Sequence, residues 1–255
     1  MMKSRLQKGS RLFCFLFTFN FFKNGAWHHL IKSFNALDMN SIQAPFLKNI
    51  TVETPIELAS QLIETISHHY IDCINWPDSF SNKPDVSFKI AVIADGLLVK
   101  FYVKEDYTRA TFTIDNQEVY HDSCVELFID PSRDGTYYNF EFNAIGTLLL
   151  GFGADRHDRP RAPQEITKQV KRHSSNGVIP FDNIRLDKPW DLTVIIPFSA
   201  FWHHSIISLD KKKIRANFQK CGEDLPVPHY LTWNPILTLK PDYHQPAFFG
   251  SIDFK

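Results

Sequence analysis

The chain carries no surplus of charge: 28 Lys and Arg balance 28 Asp and Glu over 255 residues. A dedicated nucleic-acid binder needs a basic excess to displace counterions from phosphates, so that class is excluded. Nor is there a membrane-spanning run of about 20 apolar residues. The Phe-rich stretch 12–22 is too short and is broken by Thr18 and Asn20. Cysteine is sparse, with four residues, no C-x-x-C pair and no histidine-rich segment at zinc-finger spacing. Walker, G-x-G-x-x-G, G-x-S-x-G and H-E-x-x-H motifs are all absent. That removes the phosphate-loop, dinucleotide-binding, nucleophile-elbow and zincin classes.

The zero net charge hides an uneven chain. Residues 1–38 hold six Lys or Arg, one acid and seven of the 23 Phe, whereas the remainder holds 22 bases and 27 acids. The basic, apolar head has two readings. It resembles a secretory signal, with a poor cleavage site around Ala26, or it is upstream sequence before a true start at Met39. Residues 1–26 acting as a signal would export the protein, and a start at Met39 would leave it cytoplasmic. Either way, 1–38 stands apart from the fold. The body, 39–255, retains Cys73, Cys124 and Cys221, which read as reduced, largely buried thiols.

With no repeat or Gly/Ser linker to divide it, the body reads as one domain. Thr54-Pro55-Ile56-Glu57 has the form of a capping box, and Ile56, Leu58, Leu62, Ile63 and Ile66 predict a helix near residues 55–67. The period then changes to two. Val86, Phe88, Ile90 and Val92 lead through Ala94-Asp95-Gly96 into Val99, Phe101 and Val103, the pattern of a β-hairpin. Further strands are predicted at 124–130, 137–143, 147–152, 165–172, 192–196 and 213–220, and a helical turn near 196–201. Prolines concentrate in 224–246, where little regular structure is expected. The fold class is therefore mainly β, an antiparallel sandwich with one N-terminal helix and one short extra helix.

Chemistry concentrates in two strands. From Cys124 onward, Val125, Leu127 and Ile129 share one face, and Glu126, Phe128 and Asp130 the other. Phe140 and Phe142 likewise oppose Asn139, Glu141 and Asn143. If these strands pair, Glu126 and Glu141 lie on one polar face. The paired histidines His68-His69 and His203-His204 read as surface or loop residues, and Trp76, Trp190 and Trp233 as core plugs, with Trp233 worth testing as a platform. The loop Asp155–Arg161, with three arginines, could line a cleft but reads more readily as solvated.

The segments Asp122–Asp130 (D-S-C-V-E-L-F-I-D), Tyr138–Asn143 (Y-N-F-E-F-N) and Tyr243–Gly250 (Y-H-Q-P-A-F-F-G) resemble the family 9 carbohydrate-binding modules, within the wider DOMON-like β-sandwiches. The likeness spans about residues 72–254. Ala216–Gly222 and Pro228–Trp233 look like that family's uncharacterised bacterial subgroup. The resemblance implies non-catalytic binding of a mono- or oligosaccharide end, held between two aromatic rings and hydrogen-bonded by carboxylates. The context it implies is carbohydrate catabolism, beside polysaccharide-degrading enzymes. A pyranose suits such a site, because its C–H faces stack on rings while its hydroxyl rim needs oriented polar groups. The aromatic positions fall on Tyr120 and Tyr243, where well-known members carry tryptophan. Glu126 matches an acidic hydrogen-bonding residue, and Glu141 stands where those members have a basic one. His121, His229, Trp233 and His244 are second-line candidates. Structural calcium belongs to the family, and acids near Asp122 and Asp130 are available for it.

Two other readings compete. Glu126 and Glu141 also form the obvious pair for a carboxylate-dependent glycoside hydrolase. Other DOMON-like members suggest haem, but methionine occurs only at positions 1, 2 and 39, which disfavours His/Met ligation and leaves a bis-histidine site. The body's mild acidity favours a neutral polar ligand over an acidic or phosphorylated one.

Overall fold

The computed structural model describes residues 39–185 and 189–255, so the expectation for the head 1–38 lies outside the described residues. In chain order, the strands are β1 (Ser41–Ala44), β2 (Phe46–Leu47), β3 (His69–Tyr70), β4 (Cys73–Ile74), β5 (Asp85–Ile93), β6 (Gly96–Lys104), β7 (Thr108–Ala110) and β8 (Cys124–Asp130). They continue with β9 (Tyr137–Asn143), β10 (Leu148–Gly153), β11 (Lys171–Ser174), β12 (Phe181–Ile184), β13 (Trp190–Pro197), β14 (Lys213–Gly222), β15 (His229–Thr232) and β16 (Gly250–Phe254). Helix α1 is Ile56–Leu62, and α2 is the single turn Gln164–Thr167.

Two sheets form the sandwich. The eight-stranded one runs β1-β16-β14-β8-β9-β10, with β15 joining β14 to β4. The six-stranded one runs β11-β13-β6-β5-β2, with β3 on β5. Alternation decides what each face meets. Val125, Leu127, Ile129, Phe140, Phe142 and Phe218 of the first sheet pack against Phe88, Ile90, Val99, Phe101, Leu192 and Val194 of the second. Phe88 stacks on Phe218 across the interface. Each such side chain contributes about 1.5–3 kcal/mol by leaving water.

The outer face of the second sheet is also apolar in part, and Ala59 and Ile63 of the helical segment cover Leu98 and Ile195 there. Beside them Lys89 and Lys100 stand directly opposite on β5 and β6, a like-charge pair that would repel. Glu64 resolves it, accepting from each ammonium at 2.7 Å. Burial alone would raise the Glu64 pKa, but these bonds and one from Tyr102 bring it down to about 2.

Three local expectations differ from the structure. The capping box does not form: Pro55 is the N-cap of α1, and the Thr54 hydroxyl instead accepts from the Thr51 amide. Residues 165–172 are not one strand. Pro163 starts α2, its carbonyl receiving the Thr167 amide, and β11 begins only at Lys171. Ile166 and Val170, four apart, already have the helical spacing. In the proline-rich stretch, β15 forms because Leu231 is an apolar plug and four residues pair in register with the end of β14.

Candidate functional site

The outer face of the eight-stranded sheet carries the side chains that alternation turns away from the core. Across β14, β8 and β9 they form registered rows: Cys221, Cys124 and Asn143; then Gln219, Glu126 and Glu141; then Asn217, Phe128 and Asn139. All nine are buried although they face away from the hydrophobic core. Part of this face floors a cleft of about 270 Å³. Its walls come from the turn before β8 (Tyr120), the loop after β10 (Arg156, Arg159, Arg161), the β14–β15 connection (Glu223), β15 itself (Tyr230) and the segment Pro241–His244.

Tyr120, Glu126, Glu141, Tyr243 and His244 therefore line one cleft. Glu126 and Glu141 are directly opposite on adjacent antiparallel strands, which puts their Cβ atoms about 5 Å apart. Burial raises both carboxyl pKa values, Glu126 well above the usual range and Glu141 to about 7. Glu126 accepts from the Cys221 thiol at 3.1 Å and Glu141 from the Asn139 amide at 2.7 Å. Tyr120 is half-buried at the mouth. Burial and its bond to Glu118 push its phenol up to about 12, so the hydroxyl stays protonated. Tyr243 is only 8% exposed, and its hydroxyl donates to the Lys220 carbonyl at 3.0 Å. It offers an edge rather than an open platform, with the more exposed Tyr230 ring 6.1 Å away.

Three second-line candidates stand elsewhere. Trp233 is a core plug, edge-on to Phe88 and Phe218. His229 points to the sandwich side of β15, where its Nε2 lies 2.8 Å from the Lys220 ammonium and 3.6 Å from Glu105. Burial and Lys220 hold its pKa well below the ordinary histidine range. His121 turns outward to Asp224 and Glu223, at 3.3 and 3.5 Å, and does not line the cleft.

The arginine loop is solvent-exposed except at half-buried Arg159, as expected, and its three arginines also line the cleft. Arg159 lies over the Tyr137 ring and bonds to Asn139 and to the Tyr137 carbonyl, while Arg161 bridges to Gly151 of β10. Backbone bonds from Phe152 to Pro160 and from Ala162 to Leu150 fasten the loop's far end. Sequence reasoning also passed over Tyr230 and Glu223. Tyr230 alternates with His229 and Leu231, a signal that puts it on the cleft side once β15 is recognised.

The acids near which calcium was expected, Asp122 and Asp130, hold turns. Asp122 accepts from the Thr111 amide and hydroxyl, the Phe112 amide and Asn143, and Asp130 accepts from the amides of Asp134 and Gly135. Among the described residues no helix is long and apolar enough to cross a membrane.

Known proteins place this architecture. A crystal structure of a candidate carbohydrate-binding protein from Bacteroides uniformis ATCC 8492 is 40% identical, with a TM-score of 0.81, and the match covers 85% of this chain and 99% of that one. A family 9 module from Caldicellulosiruptor kristjanssonii in complex with cellotriose is similar in fold, at 12% identity and a TM-score of 0.50, over 85% of this chain and 94% of that one. Curated proteins offer no significant match. The model of carbohydrate-binding family 9 matches residues 57–254, and this chain belongs to that family.

Proposed function

We propose that the cleft binds the end of a mono- or oligosaccharide without chemical conversion, in the context of polysaccharide breakdown. One observation carries this reading in a family 9 chain: the opposed Glu126–Glu141 pair lies on the floor of a cleft walled by Tyr120, Tyr230 and Tyr243. The rings offer apolar surface to the C–H faces of a pyranose, and the carboxyls, Asn139 and the arginines offer donors and acceptors to its hydroxyls. The cleft lies at the small end of ligand sites, about 300–1,000 Å³, which suits a short saccharide end over a long chain.

The test is a glycan screen followed by calorimetry. Binding should weaken at least about tenfold in Tyr120→Ala, a loss of about 1.4 kcal/mol. A saccharide panel with no binder, or hydrolysis of a bound oligosaccharide, would overturn the proposal.

A further inference from the structure

Cys124 and Cys221 face each other across β8 and β14, and Glu126 follows Cys124 on the same face. One ligand atom from each, two sulfurs and a carboxylate oxygen, lie within 4.8 Å of one another. All three side chains are at most 2% exposed, yet Cys221 and Glu126 also line the cleft. Hiding a carboxyl beside two thiols is costly unless its oxygens are used. We propose that Cys124, Cys221 and Glu126 form a binding site for a thiophilic divalent cation, zinc by its chemistry, with the fourth position open to the cleft.

Three features support it. Around a tetrahedral zinc, with bonds of about 2.3 Å to sulfur and 2.1 Å to oxygen, ligand atoms lie about 3.6–3.8 Å apart. The three atoms here lie within 4.8 Å of one another, so small side-chain shifts reach that spacing, with the 3.1 Å contact between Cys221 Sγ and Glu126 Oε1 opening. The donor set also selects the ion, since two thiolates suit zinc and cannot satisfy calcium or magnesium.

Lastly, Gln219 is directly opposite Glu126, fully buried, and neither its amide oxygen nor its nitrogen has a hydrogen-bond partner among the described residues. Such a side chain is what orients a ligating carboxylate or a metal-bound water. Binding would release the two thiol protons and the Glu126 carboxyl proton to solvent, with no redox step.

The test uses Co²⁺ alone as a probe on the reduced full chain carrying Cys14→Ser and Cys73→Ser, which leaves two thiols. The expected result is thiolate-to-cobalt charge-transfer absorption that saturates at one ion per chain and is bleached by zinc. Cys124→Ser and Cys221→Ser should abolish the band, and Glu126→Gln, which keeps both thiols, should weaken cobalt binding by about tenfold or more. Cobalt X-ray absorption on the unsubstituted chain needs no variant to fold and should show two sulfur neighbours. Absence of the band, its survival in Cys221→Ser, or a sulfur-free cobalt shell would each overturn the proposal. None of these outcomes bears on saccharide binding, so the two readings fail separately.

Discussion

Arg159 holds Asn139 with two donors, Nε at 3.2 Å and Nη2 at 2.8 Å, both aimed at the same amide oxygen. The Asn139 nitrogen in turn donates to Glu141. The arginine loop, β9 and the carboxyl on the cleft floor are thus one connected unit. Lysine has a single point of charge and cannot reproduce the fork or the stacking on Tyr137, whose ring centre lies 4.2 Å from the guanidinium carbon. Arg159→Lys should therefore cost about 1–2 kcal/mol of stability and speed amide exchange across 155–161. Thermal denaturation and hydrogen exchange check this, and unchanged exchange in the loop would refute the coupling.

Gly151 permits the same unit from the other side. A Cβ there would meet the Asn139 amide oxygen at 2.7 Å, an atom already held by Arg159. Gly151→Ala should displace Asn139 and loosen the loop at a cost of about 1–3 kcal/mol, with saccharide affinity falling further than stability alone explains. Calorimetry beside a melting curve separates the two effects.

His244 gives the protein a calculable acid response. Burial, followed by the nearby arginines Arg159, Arg156 and Arg161, lowers its pKa from 6.5 to about 3. Between those values the unfolded chain binds the proton and the folded chain does not, so stability falls as pH drops from 6.5 toward 3. His244→Gln should flatten that part of the curve of stability against pH. A histidine NMR titration should find the His244 ring neutral at pH 5, and a midpoint near 6.5 would contradict the assignment.

Trp233 separates a core role from a binding role. Its truncation to alanine should cost about 3–5 kcal/mol through the void left against Phe88 and Phe218. Saccharide affinity per folded molecule should stay unchanged. A selective loss of affinity in a protein of normal stability would return Trp233 to the list of platforms.

Legibility followed the range of the interactions involved. Residues 124–130 and 137–143 were readable to the residue because strict alternation reports which face each side chain takes, and the Glu126–Glu141 juxtaposition followed from it. The strand-like reading of 165–172 failed because Pro163 and the Ile166–Val170 spacing outweighed a short alternating pattern. The arginine loop is solvated as read, but the anchoring of Arg159 was not legible because its partners, Asn139 and the Tyr137 ring and carbonyl, lie about twenty residues away. His229 was misplaced for the same reason, since its surroundings depend on β15 pairing with β14, which no local pattern announces, whereas Trp233 is the core plug its position suggested. The basic wall that three arginines give to a cleft in an acidic body was likewise invisible to a charge count.

The parallel pairing of β1 with β16 has a mechanical consequence. Ser41 lies beside Ser251 and Ala44 beside Phe254, and the Phe46 amide reaches the Lys255 carbonyl. Tension applied at residue 39 and residue 255 would pull these neighbours in opposite directions along their own length. The bonds between them would share the load at once instead of opening one by one, so the sandwich is braced in shear along that axis.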